Sequence, residues 1–254
     1  MASVTQRIKQ IKQPRGGYIK PKEFEEIIIE DGVSLNPKEN IHPTLVGLAV
    51  DYLTRYASGT PVREAFKISF MGAYNVNQQP VAIELFNTIK GLDDESIISA
   101  CKLVGYDCCY RVGPEVYVPI ENIMPDKATI ENIRNMVIRT LKFIDNCGPI
   151  VKDGFTFEGA YTYTVTSGDG DFLTESTLWD LKVSSKPPTS AHTLQLLMYY
   201  IMGMCSVHKK DFNKIDSIGI FNPRLNRVYS LDISKVPFEV IKEVSEKVIG
   251  YHLI

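Results

Sequence analysis

Gly168-Asp-Gly-Asp171, Leu178-Trp-Asp180-Leu-Lys182 and Gln195-Leu-Leu-Met-Tyr199 follow one another closely, and reading these three segments decides the fold. Leu178 to Val183 is short and rich in apolar residues, as a buried strand is. Side chains alternate in direction along a strand, so Asp180 and Lys182 share a face. Upstream, Ala160 to Thr166 alternates and is rich in β-formers, and Gly168 to Gly170 marks a turn. Asp171 then opens a further strand. A hairpin between that strand and the Asp180 strand brings both carboxylates to one edge of a sheet.

After Lys186-Pro-Pro-Thr-Ser190 the spacing predicts a helix over Ala191 to Cys205, with Leu194, Leu197, Met198, Ile201 and Cys205 as its apolar stripe. His192, Gln195 and Tyr199 share a second face, which can look across the same sheet edge. The chemistry follows from the residue types. Two carboxylates and a backbone carbonyl, that of Leu181, make a hard oxygen site suited to Mg²⁺ or Mn²⁺. Lys182 beside them would orient or deprotonate an attacking water and offset charge building on a phosphate. Gln195 and Tyr199, with His192 on the same face, would contact the substrate backbone or a metal-held water. The plain readings stand beside these: a strand-edge ion pair for Asp180 and Lys182, a turn residue for Asp171, a packing pair for Gln195 and Tyr199, and a helix-start cap for His192.

Gly168-x-x-Asp171, Asp180-x-Lys182 and Gln195-x-x-x-Tyr199 resemble, in order and spacing, the motifs of the PD-(D/E)xK nuclease superfamily and within it the RecB-like branch. The resemblance covers roughly Pro43 to Tyr56 and Glu158 to Leu231. It implies an α/β fold with a restriction-endonuclease-like core, metal ligation by Asp171 and Asp180, catalysis by Lys182, and substrate positioning by Gln195 and Tyr199. It implies DNA as substrate and a metal-activated water as nucleophile. The family's helical first motif has its best counterpart in Gly47-Leu-Ala-Val-Asp51, where Asp51 stands at a position often held by histidine. Asp51 is thus a candidate third ligand or a holder of a second ion. It also precedes Arg55 by four residues, and an ordinary helix ion pair explains it almost as well. The alternative to an enzyme is a catalytically silent module of the same fold that binds nucleic acid or a protein partner.

With 254 residues, 44% apolar and 23% charged, the chain has ample material for a core. No stretch approaches the roughly 20 apolar residues of a membrane span, and the first residues lack the apolar core of a secretory signal, so a cytoplasmic location is expected. The five cysteines (Cys101, Cys108, Cys109, Cys147, Cys205) are odd in number and show no Cys-x-x-Cys spacing. Reduced thiols are expected, with no iron–sulfur cluster. The four histidines (His42, His192, His208, His252) are dispersed and show no zinc spacing. No Gly-x-x-x-x-Gly-Lys-Ser/Thr loop occurs, so no ATP site is expected, and any coupled unwinding would fall to a helicase, recombinase or other partner.

Charge is uneven. Residues 1–22 carry Arg7, Lys9, Lys12, Arg15, Lys20 and Lys22 and no acid; the total is −2, so these six cations leave the remaining chain at −8. This segment reads either as a flexible basic arm that tracks a phosphate backbone or as a solvated terminus. Helices are expected over Lys22–Glu30, Thr44–Tyr56, Pro80–Lys90, Asp94–Leu103, Thr129–Asn146 and Val236–Ile249, and strands over Val112–Ile120, Ile215–Phe221 and Arg227–Asp232. The expected organisation is an arm (1–22), a mainly helical region (23–157) and a core with a central mixed sheet flanked by helices (158–254), the last two forming one compact domain.

Overall fold

The computed structural model describes residues 2–251, so His252 lies outside the described residues. In chain order the elements are β1 (Ala2–Ser3), α1 (Val4–Gln10), β2 (Glu25–Ile28), α2 (Pro43–Ala57), α3 (Val62–Ala65), α4 (Lys67–Asn75), α5 (Gln79–Thr88), α6 (Asp94–Val104), α7 (Asp107–Arg111) and α8 (Lys127–Cys147). There follow β3 (Lys152–Thr156), β4 (Val165–Ser167), β5 (Asp169–Leu173), β6 (Thr177–Leu181), α9 (Ser190–Cys205), α10 (Lys209–Phe212), β7 (Ser217–Asn222), β8 (Arg227–Asp232) and α11 (Phe238–Glu243). The chain forms two compact units, one of residues 1–29 with 144–254 and one of residues 30–143. Among the described residues no helix is long and apolar enough to cross a membrane.

The first unit is α/β. Its six-stranded sheet has the order β2-β8-β7-β6-β5-β3 and is flanked by helices. Every neighbouring pair is antiparallel except β6 and β7. That exception has a cause in the chain: α9 and α10 lie between β6 and β7, and a helical crossover returns a strand parallel to its predecessor. Helix α9 is the centre of the core. Leu194, Leu196, Leu197, Met198 and Met202 are fully buried and pack with Leu173, Leu178, Ile218 and Ile220 of the sheet. Each such side chain contributes about 1.5–3 kcal/mol relative to exposure. The helix is buried nearly all round rather than along one stripe, and Cys205, expected in that stripe, is exposed at its end.

On the opposite face of β6, the Trp179 indole lies flat on Gly219 of β7, its register partner. A Cβ at Gly219 would stand 2.2 Å from Trp179 Cζ3, which no ring shift of a few tenths of an ångström relieves. Gly219→Ala should therefore lower stability by about 1–3 kcal/mol through overpacking. Urea unfolding measures this, and an unchanged midpoint would mean that Trp179 is free to move.

Several expected elements differ. Lys22–Glu30 is a tight turn (Pro21–Glu23) followed by strand β2, which pairs with β8. Its acids suggested a helix, but β8 supplies the backbone partners, and Glu26 accepts from Arg227 and Tyr229 on that strand. Residues 1–22 are not a separate flexible arm. Ser3 and Gln6 form a reciprocal cap on α1, and Val4, Ile8 and Ile19 are buried in the core of this unit. Ala160–Thr166 is mostly loop; only Val165–Ser167 is strand, paired with β1. Besides β6, the neighbour of β5 is β3, a strand not expected from the sequence. Val236–Ile249 divides into α11 and a π-helical turn, Val244–Ile249, ended by Gly250 at φ +90°.

The second unit is helical, with α2 to α7 and the first part of α8 around Val46, Leu53, Phe66, Ile97, Leu103, Ile133 and Met136. The expected strand Val112–Ile120 is two tight turns, Pro114–Val116 and Ile120–Asn122, because Pro114 and Pro119 lack the N–H a ladder needs. Within this unit the buried Asp107 carboxylate accepts from Tyr52 Oη at 2.7 Å and Ser69 Oγ at 2.5 Å. The unit boundaries thus differ from the expected 1–22, 23–157 and 158–254, and the basic segment belongs with the sheet.

Candidate active site

Strands β5 and β6 pair through Phe172 with Trp179 and Leu173 with Leu178. The next pair outward in that register is Asp171 with Asp180, and there the backbone ladder ends. In its place the Asp171 carboxylate accepts the Leu181 N–H, Oδ2 at 2.6 Å. Opposed residues of antiparallel strands point to one face, so the two carboxylates stand side by side where the strands part. Lys182 follows the strand end. Its N–H reaches Phe221 O at 2.9 Å, which continues the β7 pairing by one residue and fixes the side chain on the Asp180 face. Lys182 Nζ is 2.6 Å from Asp180 Oδ2.

Helix α9 closes this face. Gln195 Nε2 donates to Tyr199 Oη at 2.9 Å and is 3.5 Å from Asp180 Oδ1. All three side chains are buried. His192 Nδ1 accepts the Thr189 N–H at 3.3 Å at the helix start. The reciprocal Thr189–His192 cap keeps that imidazole beside Lys182 and Asp180, whose charges it feels. The structure thus brings together Asp171, Asp180, Lys182, His192, Gln195 and Tyr199.

The electrostatics follow from burial. Asp180 is 2% exposed, and loss of water pushes its carboxyl up to about 6, against the pull of the Lys182 cation and with the push of the Asp171 charge. Burial raises the Tyr199 phenol well above its usual value, with Asp180, Asp171 and Asp169 adding to the effect. His192 is held below the usual imidazole value, first by burial and then by Lys182, so it is neutral at pH 7.

Asp171 and Asp180 present oxygen donors of the kind a hard divalent cation takes. Asp180 Oδ2 is buried with no well-formed hydrogen bond, and its close neighbour is the Lys182 ammonium. The Lys182 ammonium already offsets this buried charge, and a divalent ion would share the carboxylate with it. The donors available are oxygen throughout, the Leu181 carbonyl standing at the same strand end. Among the described residues no group of three or more His, Cys, Asp or Glu side chains forms a metal cluster. Asp51 lies in the other compact unit, on α2. Its carboxylate takes the Arg55 guanidinium at 2.9 and 3.2 Å, which is the helix ion pair that the spacing allowed.

Two supporting residues escaped the sequence reading. Asn222 is buried; its Nδ2 donates to Ser184 O at 2.8 Å, and its Oδ1 accepts the Arg224 and Leu225 N–H groups. One side chain thereby ties the loop after Lys182 to the turn after β7. The signal was present in Asn222-Pro-Arg-Leu-Asn226, since Asn commonly opens such turns. Asp169, two residues before Asp171 on β5, adds a third charge to the field at Tyr199. The chain matches no family model, no curated protein and no solved structure.

Proposed function

We propose that this chain is a metal-dependent nuclease hydrolysing DNA phosphodiester bonds, on a restriction-endonuclease-like core of the PD-(D/E)xK kind. The observation that carries this reading is the parting of β5 and β6 at Asp171 and Asp180, with Lys182 Nζ against the buried Asp180 carboxylate. An ordinary surface ion pair has no reason to bury its acid at 2% exposure beside a second carboxylate. Mg²⁺ or Mn²⁺ held by Asp171 and Asp180, with the Leu181 carbonyl, would make water acidic enough to attack at neutral pH and offset charge on the phosphate.

The chain's own residues do the rest. Hydrolysis joins the oxygen of water to phosphorus and breaks one P–O ester bond, and the departing oxygen leaves as a strand-end hydroxyl. Lys182 supplies a fixed cation where negative charge accumulates on the phosphate oxygens. Gln195, anchored on Tyr199, holds the Asp180 side chain in place from α9. His192 faces the same charges as a neutral donor and contacts the substrate. Asp171, locked to the Leu181 N–H, keeps the strands apart at the width the site needs.

Labelled linear and circular DNA, single- and double-stranded, should be cut with Mg²⁺ or Mn²⁺ and left intact with EDTA. A folded protein that binds Mn²⁺ but cuts none of these substrates would overturn the enzyme reading in favour of a silent binding module.

A further inference from the structure

The basic segment 1–22 is folded against the helix that carries the candidate site. Pro14-Arg15-Gly16-Gly17 is a tight turn, closed by Gly17 N–H to Pro14 O at 2.9 Å, with both glycines at left-handed φ (+90° and +101°). Gly17 is seated on the first turn of α9 so closely that a Cβ there would stand 2.6 Å from Ser190 Cβ. Next to it, buried Thr193 Oγ1 donates to Ile19 O at 2.7 Å. Lys20 folds back on the turn, its Cγ 3.3 Å from where a Cβ of Gly16 would be. Arg15 and Lys20 are therefore held at the helix start, two residues before His192, with Lys12 and Lys22 flanking them.

These four cations are exposed, and none forms an ion pair among the described residues. Arg7 is different: its guanidinium caps Val248 O and Lys247 O at 2.9 Å and belongs to the fold. The rest of the chain carries net negative charge, and this strip, with four cations and no acid from residue 12 to residue 22, is a place where a polyanion meets attraction. Lysines on a loose terminus have no fixed place, whereas a double-glycine turn pinned on α9 fixes the backbone that carries two cations at the start of the helix bearing the site.

We infer that Arg15 and Lys20, with Lys12 and Lys22, are a backbone-binding strip that takes DNA phosphates flanking the bond presented to Asp171 and Asp180. The assignment deepens the nuclease reading and rests on it for the identity of the polyanion. Contacts of this kind carry affinity without sequence preference and show themselves in salt dependence.

The test is fluorescence anisotropy of the full chain with labelled single- and double-stranded DNA in EDTA, which stops cleavage, across roughly 50 to 200 mM salt. The Arg15→Gln/Lys20→Gln protein should bind about tenfold or more weakly, and its slope of log affinity against log salt should be shallower by about two. Both residues are exposed, so an unchanged melting temperature should verify folding, and single variants serve if the double variant is unstable. A control pair, Lys210→Gln/Lys214→Gln, removes the same charge from exposed positions after α9 and should change the slope little. An unchanged slope in the first variant, or an equal loss in the control, overturns the strip. Cleavage that persists while the slope ignores Arg15 and Lys20 overturns the strip alone. Binding with the expected slope but no cleavage in Mg²⁺ or Mn²⁺ overturns the nuclease reading and leaves the strip.

Discussion

Lys182→Ala should lower DNA cleavage by about a thousandfold while the fold and Mn²⁺ binding survive. Lys182 stands just past the end of β6 with a quarter of its side chain exposed, so truncation opens no sealed cavity. What it removes is a cation fixed 2.6 Å from Asp180 Oδ2, facing the position where a phosphate would gain charge. Loss of one preorganised group that acts on transition-state charge costs on the order of 10²–10³ in rate. Asp180 then loses its nearest positive neighbour, so Mn²⁺ should become the main partner of that carboxylate. Single-turnover cleavage at saturating Mn²⁺, with calorimetry of Mn²⁺ binding, separates the two effects. Full activity in the variant would remove Lys182 from the chemistry. Loss of Mn²⁺ binding with loss of rate would make it a structural support of the acid pair.

Much of the site was legible because it rests on short-range rules. Alternation placed Asp180 and Lys182 on one face, and helical spacing placed His192, Gln195 and Tyr199 on another. The structure joins these sets because a single crossover connects β6 to α9. What stayed hidden depends on long-range pairing. Glu25 to Ile28 becomes strand only because β8 offers an open edge, and nothing local distinguishes it from an acidic helix turn. β3 was missed because Lys152-Asp-Gly-Phe-Thr156 reads as a turn around Gly154. The basic segment looked loose from its glycines and prolines. Those residues instead form the tight turn that seats on Ser190, a contact no local pattern announces. Asp51 shows the converse limit: its helix was found, and its carboxylate is occupied by Arg55 within its own unit.

Asp180→Asn should abolish cleavage and Mn²⁺ binding and yet make the metal-free protein more stable at neutral pH, by on the order of 3 kcal/mol. The folded carboxyl is pushed up to about 6 from the usual 3.8, chiefly by burial. Between those values the folded chain keeps a proton that the unfolded chain has released, so stability falls as pH rises through that window and stays lower above it. An amide has no such proton to lose. The gain should therefore be present in EDTA at pH 7.5, shrink below pH 6 and vanish near pH 4. Lys182 loses this contact in the variant, and its charge stays hydrated because the side chain is already partly exposed. Mn²⁺ should reverse the order. At a thousandfold excess over its dissociation constant it adds about 4.1 kcal/mol to the parent and nothing to the variant. Thermal melts of both proteins across pH, with and without Mn²⁺, read all of this. A variant less stable than the parent in EDTA at pH 7.5 would mean that Lys182 outweighs desolvation at this carboxylate. Equal stabilisation of both proteins by Mn²⁺ would place the ion elsewhere. The expected pattern is that of a group kept for function at a cost in stability: an acid buried where the fold alone would favour an amide.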